Sequence, residues 1–166
     1  MDFETQSSYS IRVRATDNDG ASTEETFTVT VNDLNETPTG VTINIIGIDE
    51  NSPIGTSVGN ISATDVDLND LHSFTLVTGP GSADNGKFSI QANKLQVNAL
   101  LDYETQASYT VRIRATDNGS AWVEKSFTVT ITDVNEAPTG LTLSAASINE
   151  NEAAGASIGT FAISDQ

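Results

Sequence analysis

The chain contains no cysteine, and few of its residues are basic. The missing cysteine excludes disulfides, thiolate metal sites and a cysteine nucleophile. Seven Lys and Arg residues stand against 23 Asp and Glu, which gives a formal net charge of −16. Nucleic acid and anionic membrane surfaces are therefore unfavourable partners, because both need basic patches. No apolar run approaches the roughly 18 residues that a membrane-spanning helix requires, and no signal peptide is recognisable.

Candidates for catalysis are equally few. His72 is the single histidine, and its neighbour Ser73 would point to the opposite face of a strand. We therefore interpret His72 as a solvent-facing or loop residue. Asp102 and Glu104 could in principle act as the paired carboxylates of a glycoside hydrolase. Because the same pair recurs 100 residues earlier, we attribute it to metal binding and predict that the protein is not an enzyme.

The sequence repeats itself with a period of 100 residues. Residues 2–40 and 102–140 are identical at 24 of 39 positions, and the weaker similarity continues to residue 165. A fixed period indicates tandem copies of one structural unit. We expect the chain to be a piece of a longer array. The predicted units are the C-terminal part of one repeat at 1–37, a complete repeat at 38–137 and the N-terminal part of the next at 138–166.

Apolar residues alternate with polar ones, as in strands with one buried face. Tyr109, Val111 and Ile113 alternate with Thr110 and Arg112 in the clearest example. Weaker patterns predict strands near 41–46, 57–64, 72–78, 86–90 and 94–98. The predicted core residues in these strands are Phe74, Leu76, Phe88, Ile90, Leu95 and Val97. Seven short strands in about 100 residues predict an all-β fold, an immunoglobulin-like Greek-key sandwich.

The acidic residues are concentrated in short motifs that recur in both copies. Asp-x-Glu begins at positions 2 and 102, Ala-Thr-Asp at 15 and 115, and Asp-x-Asn-Glu-x-Pro at 33 and 133. Grouped carboxylates favour Ca²⁺, which takes six to eight oxygen ligands. Ordinary turns are the alternative, since Asp and Asn are common in turns without a metal. An EF-hand starting at Asp65 is excluded, because Asp70 and Leu76 stand where glycine and glutamate are required.

Taken in order, these motifs resemble cadherin repeats, and specifically the cadherin-like tandem repeats of large bacterial surface and secreted proteins. The motifs of the complete repeat are Glu50-Asn51, Asp65-Val-Asp67, Asp102-Tyr-Glu104, Ala115-Thr-Asp117 and Asp133-Val-Asn135-Glu136-Ala-Pro138. The linkers depart from the family pattern at Glu36 and Glu136, where Asp is usual. Asn69-Asp70-Leu71 also stands where the family has Gly-x-Asn. The resemblance implies calcium ions bound between consecutive domains, which stiffen the array.

The same resemblance implies two sets of calcium ligands, one at each junction between units. In the first set, the unit before the junction supplies Asp2, Glu4, Asp33, Asn35, Glu36 and the Thr37 carbonyl, and the unit after it supplies Asp65, Asp67 and Asp117. In the second set, the unit before the junction supplies Glu50, Asp102, Glu104, Asp133, Asn135, Glu136 and the Ala137 carbonyl, and the unit after it supplies Asp165. Both sets combine a linker with loops of the two flanking units.

We therefore predict a calcium-binding extracellular or cell-surface repeat that stiffens a bacterial adhesin or another large exported protein. Its partners would be calcium and the neighbouring repeats of the array. Exposed edges of the partial repeats also predict weak head-to-tail self-association. The alternative is a calcium-dependent carbohydrate-binding module. In that case Trp122, which strand parity places on the outer face, and Tyr109 would contact a polysaccharide.

Overall fold

The structure is a computed structural model that describes residues 1–67 and 70–165. Leu68, Asn69 and Gln166 lie outside the described residues, so the Asn69-Asp70-Leu71 segment is described from Asp70 onward. The described chain is all-β apart from one short 3-10 helix at Asn85–Lys87. Within these ranges, no helix is long and apolar enough to cross a membrane.

The described residues form twelve strands, which are numbered here in chain order. They are β1 Ser8–Thr16, β2 Ser22–Thr30, β3 Gly40–Ile43, β4 Gly47–Asp49, β5 Ser57–Thr64, β6 Ser73–Leu76, β7 Phe88–Gln91, β8 Lys94–Val97, β9 Ser108–Thr116, β10 Trp122–Thr132, β11 Gly140–Leu143 and β12 Phe161–Ser164. Eight of them, β3 to β10, make two four-stranded sheets with orders β4-β10-β9-β6 and β3-β5-β8-β7. The predicted β-sandwich is confirmed.

The first strand of the sandwich is divided between the two sheets. β3 pairs antiparallel with β5 in one sheet, and β4 pairs parallel with β10 in the other. The sequence predicted a single strand at 41–46 and missed β4. Three residues are too few to display an alternating pattern, so periodicity alone gives no signal there. This division brings the end of β4 beside the end of β10.

The core lies between the sheets and follows the predicted alternation. Val111, Ile113 and Val129 are fully buried, as are the predicted core residues Leu95 and Val97. Phe88 is also buried, whereas Phe74, Leu76 and Ile90 are partly buried against this core. The alternation in β9 therefore identified its inward face.

Tyr109 belongs to this core and is only 3% exposed. Its ring meets the ring of Phe88 edge-on, with a centroid distance of 6.0 Å and an interplanar angle of 73°. A sugar ring cannot stack on an aromatic face that is packed inside the sandwich. The prediction that Tyr109 contacts a polysaccharide is therefore wrong. Strand parity places Tyr109 in the inward row of β9, so its aromatic type alone is no sign of a sugar contact.

Trp122 lies at the start of β10 and is half exposed, as its strand parity predicted. The guanidinium of Arg114 lies 4.2 Å from the centroid of its ring. Arg114 and Arg112 also form ion pairs with Glu124, at 2.6 and 2.8 Å. Hydrogen bonds from Arg114 and Arg112 lower the pKa of Glu124. The outer face of β9 and β10 is thus a charged ladder, and Arg114 occupies one face of the indole.

The flanking strands form two separate antiparallel hairpins, β1–β2 and β11–β12. Their apolar residues remain exposed, unlike those of the sandwich. Val13 is 47% exposed, whereas Ile113, its counterpart 100 residues later, is 0% exposed. Phe161 at the other end is 73% exposed. Both hairpins therefore present an apolar face to solvent.

Candidate metal centres

The first group of carboxylates lies where the 1–37 segment meets the sandwich. Carboxylate oxygens of Glu4, Asp33, Glu36 and Asp67 all lie within 4.8 Å of one another. The first three belong to the segment around the β1–β2 hairpin, and Asp67 belongs to the loop after β5. The backbone N–H of Glu36 donates a 2.8 Å hydrogen bond to Asp67 Oδ2. The linker is thus fastened to the loop beneath it.

These carboxylates perturb one another. A hydrogen bond with Asp67, desolvation and the charges of Asp67, Glu4 and Asp33 raise the pKa of Glu36 to about 7. A backbone hydrogen bond lowers the pKa of Glu4, but desolvation and the charges of Asp2 and Asp33 outweigh it and raise the pKa overall. Raised pKa values of this kind are expected where several carboxylates lie close together without a compensating positive charge.

The donor set of this first group fits a hard divalent cation. Asp67 Oδ1 is buried and has no hydrogen-bond partner among the described residues. Such an atom is costly to bury unless another group binds it. Every ligand in the group is a carboxylate oxygen, which is the kind of ligand that Ca²⁺ takes. The residues present therefore fit calcium.

Asn35 and Asp117 extend the contact between the linker and the sandwich. Asn35 Nδ2 donates a 3.1 Å hydrogen bond to Asp117 Oδ2, and Asp117 Oδ1 accepts a 2.8 Å bond from the Ala121 N–H. A Cβ atom added at Gly119 would lie 2.3 Å from the side chain of Asn35. Glycine at this position therefore makes room for the linker amide.

Asp2 and Asp102 have a different local role from their partners in the Asp-x-Glu motif. Asp102 accepts hydrogen bonds from the Thr105 N–H at 3.0 Å and from the Thr105 hydroxyl at 2.8 Å. Asp2 binds Thr5 in the same way. Bonds from the threonine side chains and backbone lower the pKa of both carboxyls. Each Asp therefore stays ionised and closes a turn that carries the following Glu.

The second group lies at the opposite end of the sandwich. Carboxylate oxygens of Glu50, Asp102 and Glu104 lie within 4.8 Å of one another. A backbone hydrogen bond lowers the pKa of Glu104, but desolvation and the charges of Glu50, Glu136 and Asp133 raise it overall. These two linker carboxylates are thus close enough to act on Glu104 electrostatically. The second group resembles the first in its charge and in its position beside a linker.

Glu50 holds this second group in place. It directly follows β4 and is only 3% exposed. Its Oε2 accepts a 2.8 Å bond from the Tyr103 N–H, and its Oε1 accepts one of 2.8 Å from the Val134 N–H. One carboxylate therefore joins the loop of the Asp-x-Glu motif to the linker. The neighbouring Asn51 has a left-handed φ of 55° and donates to Glu136 Oε1 at 2.5 Å.

Asp65 is separated from the first group and pairs with His72. The distance between His72 Nε2 and Asp65 Oδ2 is 2.9 Å, and the two side chains are 11% and 3% exposed. Asp70 completes a third group with them. His72 lies in a loop, as expected, although little of its side chain faces solvent. A lone histidine in a polar loop gives no sign of burial, because the acid that covers it is seven residues away.

The remaining predicted ligands lie outside the three compact groups. Thr37 and Ala137 are exposed linker residues. Asn135 Nδ2 bonds to the Glu136 carbonyl at 3.0 Å, and Asp165 makes an interaction of its own beyond β12. Asn51, Asp70 and Asn118 are further polar neighbours of these acids that were not predicted as ligands. For Asn51, its place in the Glu-Asn motif was the available signal.

Comparisons with known proteins identify the family. The family described as "Cadherin domain" matches residues 44–132, more than half of the chain. Human protocadherin Fat 4 is 38% identical over 149 residues, which cover 86% of this chain and 3% of that protein. Mouse cadherin-24 is 33% identical over an alignment of 190 positions with gaps, which covers 99% of this chain and 24% of that protein. The chain thus spans a small part of these relatives.

The fold points to the same family. The crystal structure of the protocadherin gamma B4 extracellular domain superposes with a TM-score of 0.68 and 29% sequence identity, covering 99% of this chain and 27% of that one. The proteins of this family are non-enzymatic, which confirms the prediction that the protein is not an enzyme. On the strength of the domain match, the shared sandwich and the ordered acidic motifs, the chain belongs to the cadherin family.

Proposed function

We propose that the chain is a calcium-binding, extracellular part of a cadherin-type array with a spacing and adhesion role. The observation that carries this proposal is the first carboxylate group, in which Glu4, Asp33 and Glu36 from one unit meet Asp67 from the next. A calcium ion bound by ligands from both units would restrict the angle between them. A group confined to one unit would only stabilise that unit.

The mechanism is neutralisation of charge at a linker. Without a cation, Glu36 and its neighbours repel one another, which favours separation of the two units. Bound calcium supplies positive charge and six to eight coordination positions. Glu4, Asp33 and Glu36 would then bind the ion from unit 1–37, while Asp67 would bind it from unit 38–137. Glu50, Asp102 and Glu104 would supply part of the ligand set of the equivalent site at the second junction.

The wider ligand sets and the unit boundaries are part of the proposal. Asp2, Asn35, Thr37, Asp65 and Asp117 would complete the first site. The second would be completed by Asp133, Asn135, Glu136, Ala137 and Asp165. The units would be 1–37, 38–137 and 138–166, and the hairpins and sandwich fall within these ranges. Bacterial origin and membership of a large exported protein remain predictions, since the relatives compared are animal proteins.

A distance measurement across the first junction tests this function. Because the chain has no cysteine, spin labels can be placed at exposed Thr28 and Thr128 after substitution by cysteine. We expect pulsed electron paramagnetic resonance to give a narrow distance distribution in calcium and a broad one in EDTA. In the double variant E36Q/D67N, the distance distribution should remain broad even in calcium.

The chain offers a matched control for this experiment. The pair E104Q and E136Q neutralises carboxylates at the second junction, which the two labels do not span. With these changes the distribution should remain narrow in calcium. Equally broad distributions with calcium and with EDTA would contradict the proposal, as would an identical response of the two double variants.

Self-association through the hairpins is a separate prediction. The apolar residues of β1–β2 and β11–β12 are exposed in the structure, including Phe27 at 49% and Phe161 at 73%. Large exposed apolar patches favour association. We expect light scattering to show a weight-average mass that rises with concentration, and the pair F27S and F161S to reduce the rise. A monomeric mass up to millimolar protein would exclude this behaviour.

A further inference from the structure

The third titratable group differs from the two calcium candidates because it contains an imidazole. Ligand atoms of Asp65, Asp70 and His72 lie within 4.8 Å of one another. They come from the loop between β5 and β6, on the same side of the sandwich as Asp67. The proposed calcium function uses neither Asp70 nor His72.

The surrounding residues hold this group in position. Asp65 Oδ1 accepts a 2.8 Å bond from the Val66 N–H, while its Oδ2 faces His72 Nε2 at 2.9 Å. Asp70 Oδ1 accepts a 2.7 Å bond from Asn118 Nδ2. Each carboxylate thus has one oxygen held by a hydrogen bond from a neighbouring residue. Such outer contacts orient metal ligands in proteins.

A buried oxygen in this group has no partner. Asp70 Oδ2 is inaccessible to solvent and accepts no hydrogen bond within the described part of the chain. Leaving a carboxylate oxygen buried and unbound is costly. A cation at this point would satisfy it, and His72 and Asp65 are already beside it. This orphaned atom is therefore an independent indication of a ligand.

The mixture of ligand types selects the class of cation. Calcium takes oxygen ligands, whereas an imidazole nitrogen with carboxylates suits zinc and similar transition metals. Ligands about 2.0–2.2 Å from a tetrahedral zinc ion lie about 3.3 Å apart. The 2.9 Å separation of His72 Nε2 and Asp65 Oδ2 needs only a small expansion to admit the ion. Asp70 and His72 also line an open pocket of about 260 Å³.

We propose that Asp65, Asp70 and His72 form a binding site for Zn²⁺ or a similar transition-metal ion, with water as the fourth ligand. The site occurs once in this chain, because the single histidine lies between the two repeated sequence segments. Asp65 would also serve the first calcium junction. Zinc bound at this site should therefore weaken calcium binding at that junction; this consequence rests on the proposed function, whereas zinc binding itself does not.

Titration of the full chain with Zn²⁺ or Co²⁺ in calcium-free buffer tests the site. We expect binding that H72A weakens by more than about 100-fold, since the loss of an outer contact to a metal ligand alone costs 10- to 100-fold. D70N should also weaken it. The matched control D19N removes an exposed carboxylate from the turn between β1 and β2, outside all three groups, and should leave the affinity unchanged. Equal zinc affinity in the original chain, H72A and D70N would overturn the proposal.

A spectroscopic measurement on the unaltered chain removes any ambiguity from variants that fold poorly. With one histidine in the sequence, a single set of imidazole ¹⁵N resonances reports on the site. Zinc should shift the Nε2 resonance strongly because it would bond that nitrogen directly, whereas calcium at the same concentration should cause a much smaller change that reaches Nε2 only through Asp65. An unchanged imidazole spectrum at saturating zinc would refute the site. Failure of calcium to narrow the distance distribution would instead count against the proposed function alone.

Discussion

Addition of saturating calcium to the metal-free protein should raise its melting temperature by more than about 10 °C. A ligand at 100 times its dissociation constant adds about 2.7 kcal/mol to the folded state at one site. In a domain of about 100 residues, each kcal/mol shifts the melting temperature by about 4–8 °C. The sandwich carries candidate ligands at both ends, with Asp67 at one and Glu50, Asp102 and Glu104 at the other.

Differential scanning calorimetry in calcium and in EDTA measures this effect directly. Magnesium at the same concentration is a useful comparison, because it demands a tighter octahedral geometry. E104Q should reduce the calcium-dependent shift, since it removes a charge from the second group. It should leave the melting temperature in EDTA unchanged or raise it, because the charges of Glu50, Glu136 and Asp133 oppose ionisation of Glu104. Superimposable melts in calcium and EDTA would contradict calcium binding.

E50A should lower the free energy of unfolding by about 3 kcal/mol even without metal. The Glu50 carboxylate is buried and accepts the backbone N–H groups of Tyr103 and Val134. Hydrogen bonds to charged groups contribute about 1.5–3 kcal/mol each. The release of a buried charge offsets part of the loss. Because Glu50 connects a loop to the linker, its removal should loosen both.

Urea denaturation of E50A in EDTA checks this value, and the repeat supplies its control. Glu150 occupies the equivalent position in the next copy but is exposed, so E150A should change stability by less than about 0.5 kcal/mol. E50Q keeps a side-chain acceptor and removes the charge. It should retain more metal-free stability than E50A while losing calcium-dependent stabilisation. Equal stabilities for E50A and E150A would show that the two hydrogen bonds contribute little.

The sequence predicted most of the fold because long strands with one buried face carry a strong periodic signal. β9 and β10 were located from alternation alone, and their inward residues are buried. β4 carries no such periodic signal. It is defined by its parallel pairing with β10, a long-range contact that the local sequence does not encode. Tyr109 shows the opposite case, because its place in the inward row of β9 predicted its burial, whereas its aromatic type did not.

The candidate sites were predictable as groups but not as geometry. Repetition of the acidic motifs indicated which loops carry carboxylates, and the structure brings Glu4, Asp33 and Glu36 beside Asp67. The pairing of Asp65 with His72 could not be predicted from spacing, because a separation of seven positions outside a regular strand allows many arrangements. The pKa of Glu36 is likewise raised to about 7 by a hydrogen bond with Asp67, by desolvation and by the charges of Asp67, Glu4 and Asp33, of which only Asp33 is near it in the sequence.

The parallel pairing of β4 with β10 determines how the sandwich would respond to tension. These strands lie near the two ends of the unit and are aligned from Thr130 beside Gly47 to Thr132 beside Asp49. A pull applied to both ends would draw them in opposite directions along a shared axis. Their cross-strand hydrogen bonds would then be sheared together instead of opening one after another. Since Glu50 directly follows β4 and its N–H bonds to the Thr132 carbonyl at 3.1 Å, the mechanical clamp and the second carboxylate group share one short segment.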